Sequence, residues 1–160
     1  MKQILFILSL VFIFLFGCKT AEFTSEQLIV KQIIDEKVEK KDWTITFDRA
    51  IPLRGRNVIL TSSYALEVRN DSVFANLPYF GQVTYVRSEM DGRIKFQEPY
   101  QNYTWKPISK NKGYEITMDV REPDYQYRLF VTLLDNGRVV LSIASPQRDS
   151  ITYYGELNLN

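Results

Sequence analysis

From Trp43 to Leu157, apolar and polar residues alternate in short runs separated by turn-forming residues. Successive side chains on a strand point to opposite faces, so this period of two predicts strands with one buried face. Ten runs carry the pattern: Trp43–Asp48, Val58–Arg69, Ser72–Asn76, Gln82–Arg87, Arg93–Gln97, Tyr103–Ser109, Tyr114–Val120, Tyr127–Leu134, Val139–Ala144 and Ser150–Leu157. Asn70-Asp71, Asp91-Gly92, Asn111-Lys112-Gly113 and Asn136-Gly137 fall between runs and suit hairpin turns. Links this short join antiparallel neighbours rather than parallel strands with crossovers. The expected fold class is mainly β, an antiparallel meander that closes into a small barrel, because ten open strands would leave unpaired edges. A two-sheet sandwich is the alternative. The alternation turns Tyr64, Leu66, Val68, Ile116, Met118, Val120, Leu129, Val131, Leu133, Val139, Leu141 and Ile143 inward.

Ahead of the strands the period becomes helical. Val30, Ile33, Ile34 and Val38 share one face, with Lys31, Asp35 and Glu39 turned away. Thr24 and Gln27 have capping-box spacing, Phe23 and Leu28 have hydrophobic-staple spacing, and Glu26 lies in the first turn. These signals predict one amphipathic helix over residues 24–41, packed against the barrel to cover an open end or edge. Lys37, Lys40 and Lys41 near its C-terminus complement the helix dipole. No internal repeat, low-complexity tract or long linker follows, so residues 24–160 are read as a single β-rich domain.

The chain starts differently. Lys2 precedes the apolar stretch from Ile4 to Phe16, which only Ser9 interrupts, and this is the layout of a signal peptide. The stretch is shorter than the roughly 20 residues a helix needs to cross a bilayer. Leu15-Phe16-Gly17-Cys18 follows and resembles the lipobox of bacterial lipoproteins, whose cysteine is diacylated and becomes the first mature residue; Phe16 stands where that pattern has a small residue. The expected organisation is a lipoprotein signal peptide over residues 1–17 and a lipidated tether over residues 18–23, with Cys18 as the attachment site and the membrane as partner. Two acyl chains on one residue hold stably, since each buried methylene contributes about 0.8 kcal/mol. The expected location is the cell envelope, as an outer-membrane lipoprotein. Lys19-Thr20-Ala21-Glu22 lacks an acidic run, which points to the periplasmic face.

Composition limits the chemistry. Removing residues 1–17 takes away Lys2 alone, leaving 19 Lys+Arg against 19 Asp+Glu, interspersed along the chain, so no basic face is available for a nucleic acid. There is no histidine, which removes the commonest general base and transition-metal ligand. Ser-His-Asp and Cys-His hydrolysis, His-dependent zinc chemistry and His-ligated haem therefore drop out. Cys18 is the only cysteine, so no disulfide or CxxC pattern exists either. No cofactor or metal is expected. Carboxylate-only catalysis survives, with Glu89, Asp91, Glu98, Glu115 and Asp119 available, as do Ser-Lys hydrolysis and oxygen-ligated calcium.

Several separated pieces resemble a known family. They are Asp48-Arg49-Ala50 with Pro52, Leu60-Thr61-Ser62-Ser63-Tyr64, Asn70-Asp71-Ser72-Val73, Leu77-Pro78-Tyr79-Phe80-Gly81, and Arg148 to Ile151 with Tyr153-Tyr154-Gly155. Their order is similar to that in Bacteroidetes-type envelope lipoproteins carrying domain of unknown function 4251. The resemblance implies a small lipocalin-like barrel and no particular activity. Within Leu77 to Gly81, Pro78 fixes its own φ and Gly81 is expected to supply a positive one. Tyr79 and Phe80 then either plug a barrel end or form an aromatic platform for a sugar or peptide. Arg148, near Tyr153 and Tyr154, either clamps an anion or pairs with Asp149 or Asp71 to pin a strand end. Asp71-Ser72-Val73 and Asp149-Ser150-Ile151 resemble the short O-glycosylation pattern of such envelope proteins, which makes Ser72 and Ser150 candidate acceptors, although both sites also suit plain turns.

Three functions stay open. The first is a non-catalytic envelope module whose barrel interior or open end binds a small apolar, lipid or glycan ligand. The second is a structural or inhibitor-like accessory for an envelope protein, with a filled barrel and an exposed apolar patch. The third is a glycan hydrolase with two carboxyls about 5 to 9.5 Å apart across a cleft. Metabolic labelling with a palmitate analogue checks the anchor: the wild type takes up label and Cys18→Ala does not, and equal label in both overturns the lipoprotein reading.

Overall fold

The structure, a computed structural model, describes residues 24–84, 92–109 and 112–160. The expected signal peptide, Cys18 and the staple residue Phe23 lie outside the described residues. Helix α1 covers Ser25–Lys40. The Thr24 backbone N–H donates to Gln27 Oε1 at 3.0 Å, the returning half of the capping box. Lys41 ends the helix in the left-handed conformation, with φ 52°, and its N–H turns back to the Lys37 and Val38 carbonyls.

Eight strands follow: β1 (Asp42–Pro52), β2 (Val58–Arg69), β3 (Ser72–Pro78), β4 (Arg93–Pro107), β5 (Gly113–Arg121), β6 (Gln126–Leu134), β7 (Arg138–Ser145) and β8 (Arg148–Leu157). Each pairs antiparallel with its successor, and β8 returns to β1, so the sheet closes into a barrel. Helix α1 lies at the end where β1 starts, with Ile34 and Val38 buried in the core. The far end carries the β1–β2, β3–β4, β5–β6 and β7–β8 connections.

Ten expected runs become eight strands for two reasons. Arg93–Gln97 and Tyr103–Ser109 are halves of β4, joined across a bulge between Gln101 and Thr104 where Asn102 has φ 53°. Pro99, which reads as a breaker, pairs with the first residue of β3; beyond it β4 changes partner to β5, so its missing N–H falls where one ladder ends. The Gln82–Arg87 run yields one bridge, Val83 to Arg148, among the described residues. β1 also continues past the expected end at Asp48. A bulge between Phe47 and Arg49 shifts the parity, so Trp43, Ile45 and Phe47 face inward and then Ala50 and Pro52 do.

An eight-stranded barrel is just wide enough for side chains to fill it. The residues expected inside are buried, except Tyr64, which is half-buried against the core. Closure depends on Gly155, which faces Phe47 across the β1–β8 seam. A Cβ there would meet the Thr46 carbonyl oxygen and come within 2.9 Å of both Cα and Cδ1 of Phe47. Gly155→Ala is expected to destabilise the domain by about 1–3 kcal/mol through overpacking at backbone. Thermal unfolding followed by circular dichroism checks this: Tm should fall by several degrees, and an unchanged Tm would refute the close approach.

Candidate functional site

The far end of the barrel is closed by a stack built around Arg148. β8 starts there, and Arg148 is 7% exposed. Its Nη1 donates to the Arg93 carbonyl at 2.9 Å. Its guanidinium carbon lies 4.0 Å from the Tyr125 ring centroid and 5.0 Å from that of Tyr79. A cation held over aromatic faces and away from water gains up to about 2 kcal/mol from each, which helps offset its lost hydration.

Backbone bonds hold the parts in place. Asp149 N–H donates to Gln82 O at 2.9 Å and Thr84 N–H to Gln147 O at 3.0 Å, which lays the segment after β3 along the start of β8. The buried Tyr79 hydroxyl lies 2.9 Å from Gln82 O and 3.0 Å from Asp149 O. Deeper in, Tyr153 donates to Pro78 O at 2.8 Å, and its ring is 5.6 Å from Phe47. Tyr127 stacks on Phe96 at 5.3 Å and on Tyr125 at 6.0 Å.

Of the five residues singled out from the sequence, Tyr79, Arg148 and Tyr153 come together in this stack, whereas Phe80 and Tyr154 are exposed. Two expectations need correction. Gly81 has no positive φ; it is needed because a side chain there would strike the Tyr79 hydroxyl and come within 2.7 Å of Tyr79 Cζ. Asp71 sits in the turn between β2 and β3. The Asp149 carboxylate accepts from Gln82 N–H at 3.4 Å and lies 3.9 Å from Arg54 Nε. The candidate acceptors sit on strands rather than turns: Ser72 opens β3 half-buried, and Ser150 lies exposed on β8.

Sequence reasoning missed the remaining residues of this end. Tyr125 follows the β5 run and looks like a loop residue, yet it carries one face of the stack. Glu122 lies in the same turn. Continuing the Tyr100–Val120 register by two residues brings Glu122 opposite Glu98. Burial, reinforced by the Glu98 charge, pushes the Glu122 carboxyl up, against the opposing pull of the Tyr127 hydroxyl that donates to it and of Arg148. Among the other carboxylates considered, Glu115 pairs with Lys106 at 2.8 Å, and Glu89 and Asp91 lie outside the described residues.

Asp119 belongs to a second feature on the outer wall. Arg128 grips it bidentately, Nε to Oδ1 at 2.7 Å and Nη2 to Oδ2 at 3.1 Å, and Asn102 Nδ2 donates to Oδ2 at 2.9 Å. These bonds, Arg128's first, hold the Asp119 carboxyl below its ordinary range. The three side chains line a hollow of about 470 Å³ together with Gln101, Arg121 and Gln126. Arg121 and Gln126 also border a neighbouring hollow of about 420 Å³ over the β5–β6 turn.

The stack gives the domain an alkaline signature. Burial pushes the Tyr79 hydroxyl up to about 12, with the Asp149 charge adding to it and Arg148 opposing. Tyr127 and Tyr153 are raised further, chiefly by burial. At the helix end, burial, reinforced by the Asp35 carboxylate that accepts from its hydroxyl, pushes Tyr114 up to about 12. A raised tyrosine pKa favours the folded state below the ordinary value of about 10, and that contribution is lost as pH rises through the folded value. Absorbance titration of tyrosinate should therefore be biphasic, with these four ionising above the exposed ones and alongside loss of the fold. A single transition near pH 10 with the fold intact would contradict the packing.

Comparison with known proteins agrees with this architecture. The family model for Domain of unknown function (DUF4251) matches residues 26–157, from the first turn of α1 to the end of β8. Three solved chains match. One is the crystal structure of a DUF4251 family protein from Bacteroides eggerthii, similar with a TM-score of 0.64 and 10% identity over 81% of this chain and 87% of that one. No curated protein matches. At that identity the structural likeness speaks for the fold alone, while the family model spans helix and barrel together: the chain belongs to the DUF4251 family.

Proposed function

We propose that this chain is a non-catalytic binding module, anchored through Cys18 to the periplasmic face of the outer membrane, that takes a saccharide ligand on its outer wall at the far end of the barrel. The contrast between the two sides of the wall carries this reading. Inside, buried side chains from every strand and the Arg148 stack occupy the space a lipocalin-like ligand would need. Outside, the hollow of about 470 Å³ falls in the usual range for ligand pockets, roughly 300–1,000 Å³. Its amides and its Arg128–Asp119 pair offer donors and acceptors side by side, the arrangement that neighbouring sugar hydroxyls require. That lining suits a glycan better than an acyl chain.

One observation favours a carboxylate hydrolase as the second reading. Glu98 and Glu122 are neighbours, and Glu122 is held above its ordinary range, as a general acid is. Glu122 is half-buried under the β5–β6 turn and bonded by Tyr127, which fits a structural role better.

The test is titration of the purified protein with oligosaccharides released from the envelope. Saturable binding is expected, weakened about tenfold, the equivalent of ~1.4 kcal/mol, in Arg128→Ala. Binding unaffected by that change, or stoichiometric uptake of a fluorescent fatty acid into the barrel, would sink the reading. Release of shorter sugars that stops in Glu122→Gln would move the protein to the hydrolases.

A further inference from the structure

The helix end of the barrel carries large apolar side chains that its own core does not use. Leu28 is 54% exposed and Ile29 59%, both near the start of α1, and Trp105 on β4 is 45% exposed. Leu28 and Trp105 share one side of this end, and Ile29, next to Leu28 on the first turns of α1, faces outward. The Trp105 ring meets Tyr114 edge-on at 5.4 Å. The Lys31 ammonium lies 5.9 Å from the Tyr114 ring, and Leu28 sits one helical turn before Lys31 on the same face. Trp105 belongs to the part of β4 that has left β3 behind, so it projects past the neighbouring strand.

Covalent geometry decides what this face meets. Between Cys18 and Ser25 the chain cannot span more than about 25 Å, at roughly 3.3–3.6 Å per residue. Leu28 and Ile29 then lie within about 6 Å of the helix start, at 1.5 Å per residue. An acylated Cys18 therefore holds these residues beside the bilayer at high effective concentration. Tryptophan suits the boundary between headgroups and acyl chains, where an apolar ring carries a polar N–H.

We propose that Leu28, Ile29 and Trp105 form a lipid-contacting face that seats the helix end of the barrel on the membrane. This rests on the reading of Cys18 as the anchor, and it orients the barrel so that the Arg148 end and the outer hollow point away from the lipid.

The chain offers its own probe. Of its two tryptophans, Trp43 is 1% exposed, so quenching by lipid reports Trp105. The chain lacking only residues 1–17 is coupled through the Cys18 thiol to a maleimide lipid in phosphatidylethanolamine–phosphatidylglycerol vesicles, with or without brominated acyl chains. Coupling bypasses acylation by the cell, so this result is separate from palmitate labelling of Cys18. Brominated vesicles are expected to abolish most Trp105 emission. Trp105→Phe should remove the effect, and Leu28→Asp with Ile29→Asp should reduce it while leaving the circular dichroism unchanged. Equal emission in both vesicles would overturn the proposal even if labelling succeeds. So would a dimer in solution that Leu28→Asp dissociates, because the face would then belong to a second copy.

Discussion

Everything in this molecule depends on the pairing of β8 with β1. Without it, eight hairpin-linked strands would form an open, twisted ribbon with two unpaired edges. With it, the inward faces converge on one filled interior in which Trp43, Leu66, Met118, Leu141 and Tyr153 are all buried. The seam tolerates no spare atoms. Phe47 lies over Gly155, and the bulge that follows Phe47 resets which side chains face inward, so that Ala50 and Pro52 close the wall where Phe47 leaves off.

Closing the wall leaves two open ends, and the protein treats them differently. One is capped with ordinary apolar helix residues, Ile34 and Val38. The other is closed by a charged group, and desolvating a guanidinium costs several kcal/mol unless strong contacts offset it. Two aromatic faces and the Arg93 carbonyl supply such contacts. The arrangement fixes more than it stabilises: Arg148 ties the start of β8 to β4 and to the β5–β6 turn, and Tyr79 ties the end of β3 to β8. Three connections distant in sequence, β3–β4, β5–β6 and β7–β8, thereby hold one arrangement at the rim, and the outer hollow is built on that rim.

The barrel was legible in the sequence because its determinant is local: a period of two and short, turn-rich links. Closure rather than a sandwich followed from strand number and edge exposure. Pro99 misled because its effect depends on which neighbour β4 pairs with at that point, and register is not a local property. The bulge at Asp48 was invisible for the same reason. At the far end, Tyr79, Arg148 and Tyr153 stood out as pieces of a family pattern, but their meeting with Tyr125 and Glu122 is set by how the strands are staggered. The Asp119–Arg128 pair became recognisable only once the β5–β6 register placed the two side by side.

The order of the strands also bears on how the domain reaches this state. Each ladder joins sequence neighbours except the last, which brings Ile45 to Leu157 across nearly the whole domain. Local hairpins form quickly, whereas a contact between the two extremes of the chain must pay the full entropy of loop closure. The slow event in folding is therefore the meeting of the first and last strands. Until it occurs, the chain displays two sticky borders at once, and a second copy in the same condition would be an equally good partner for either.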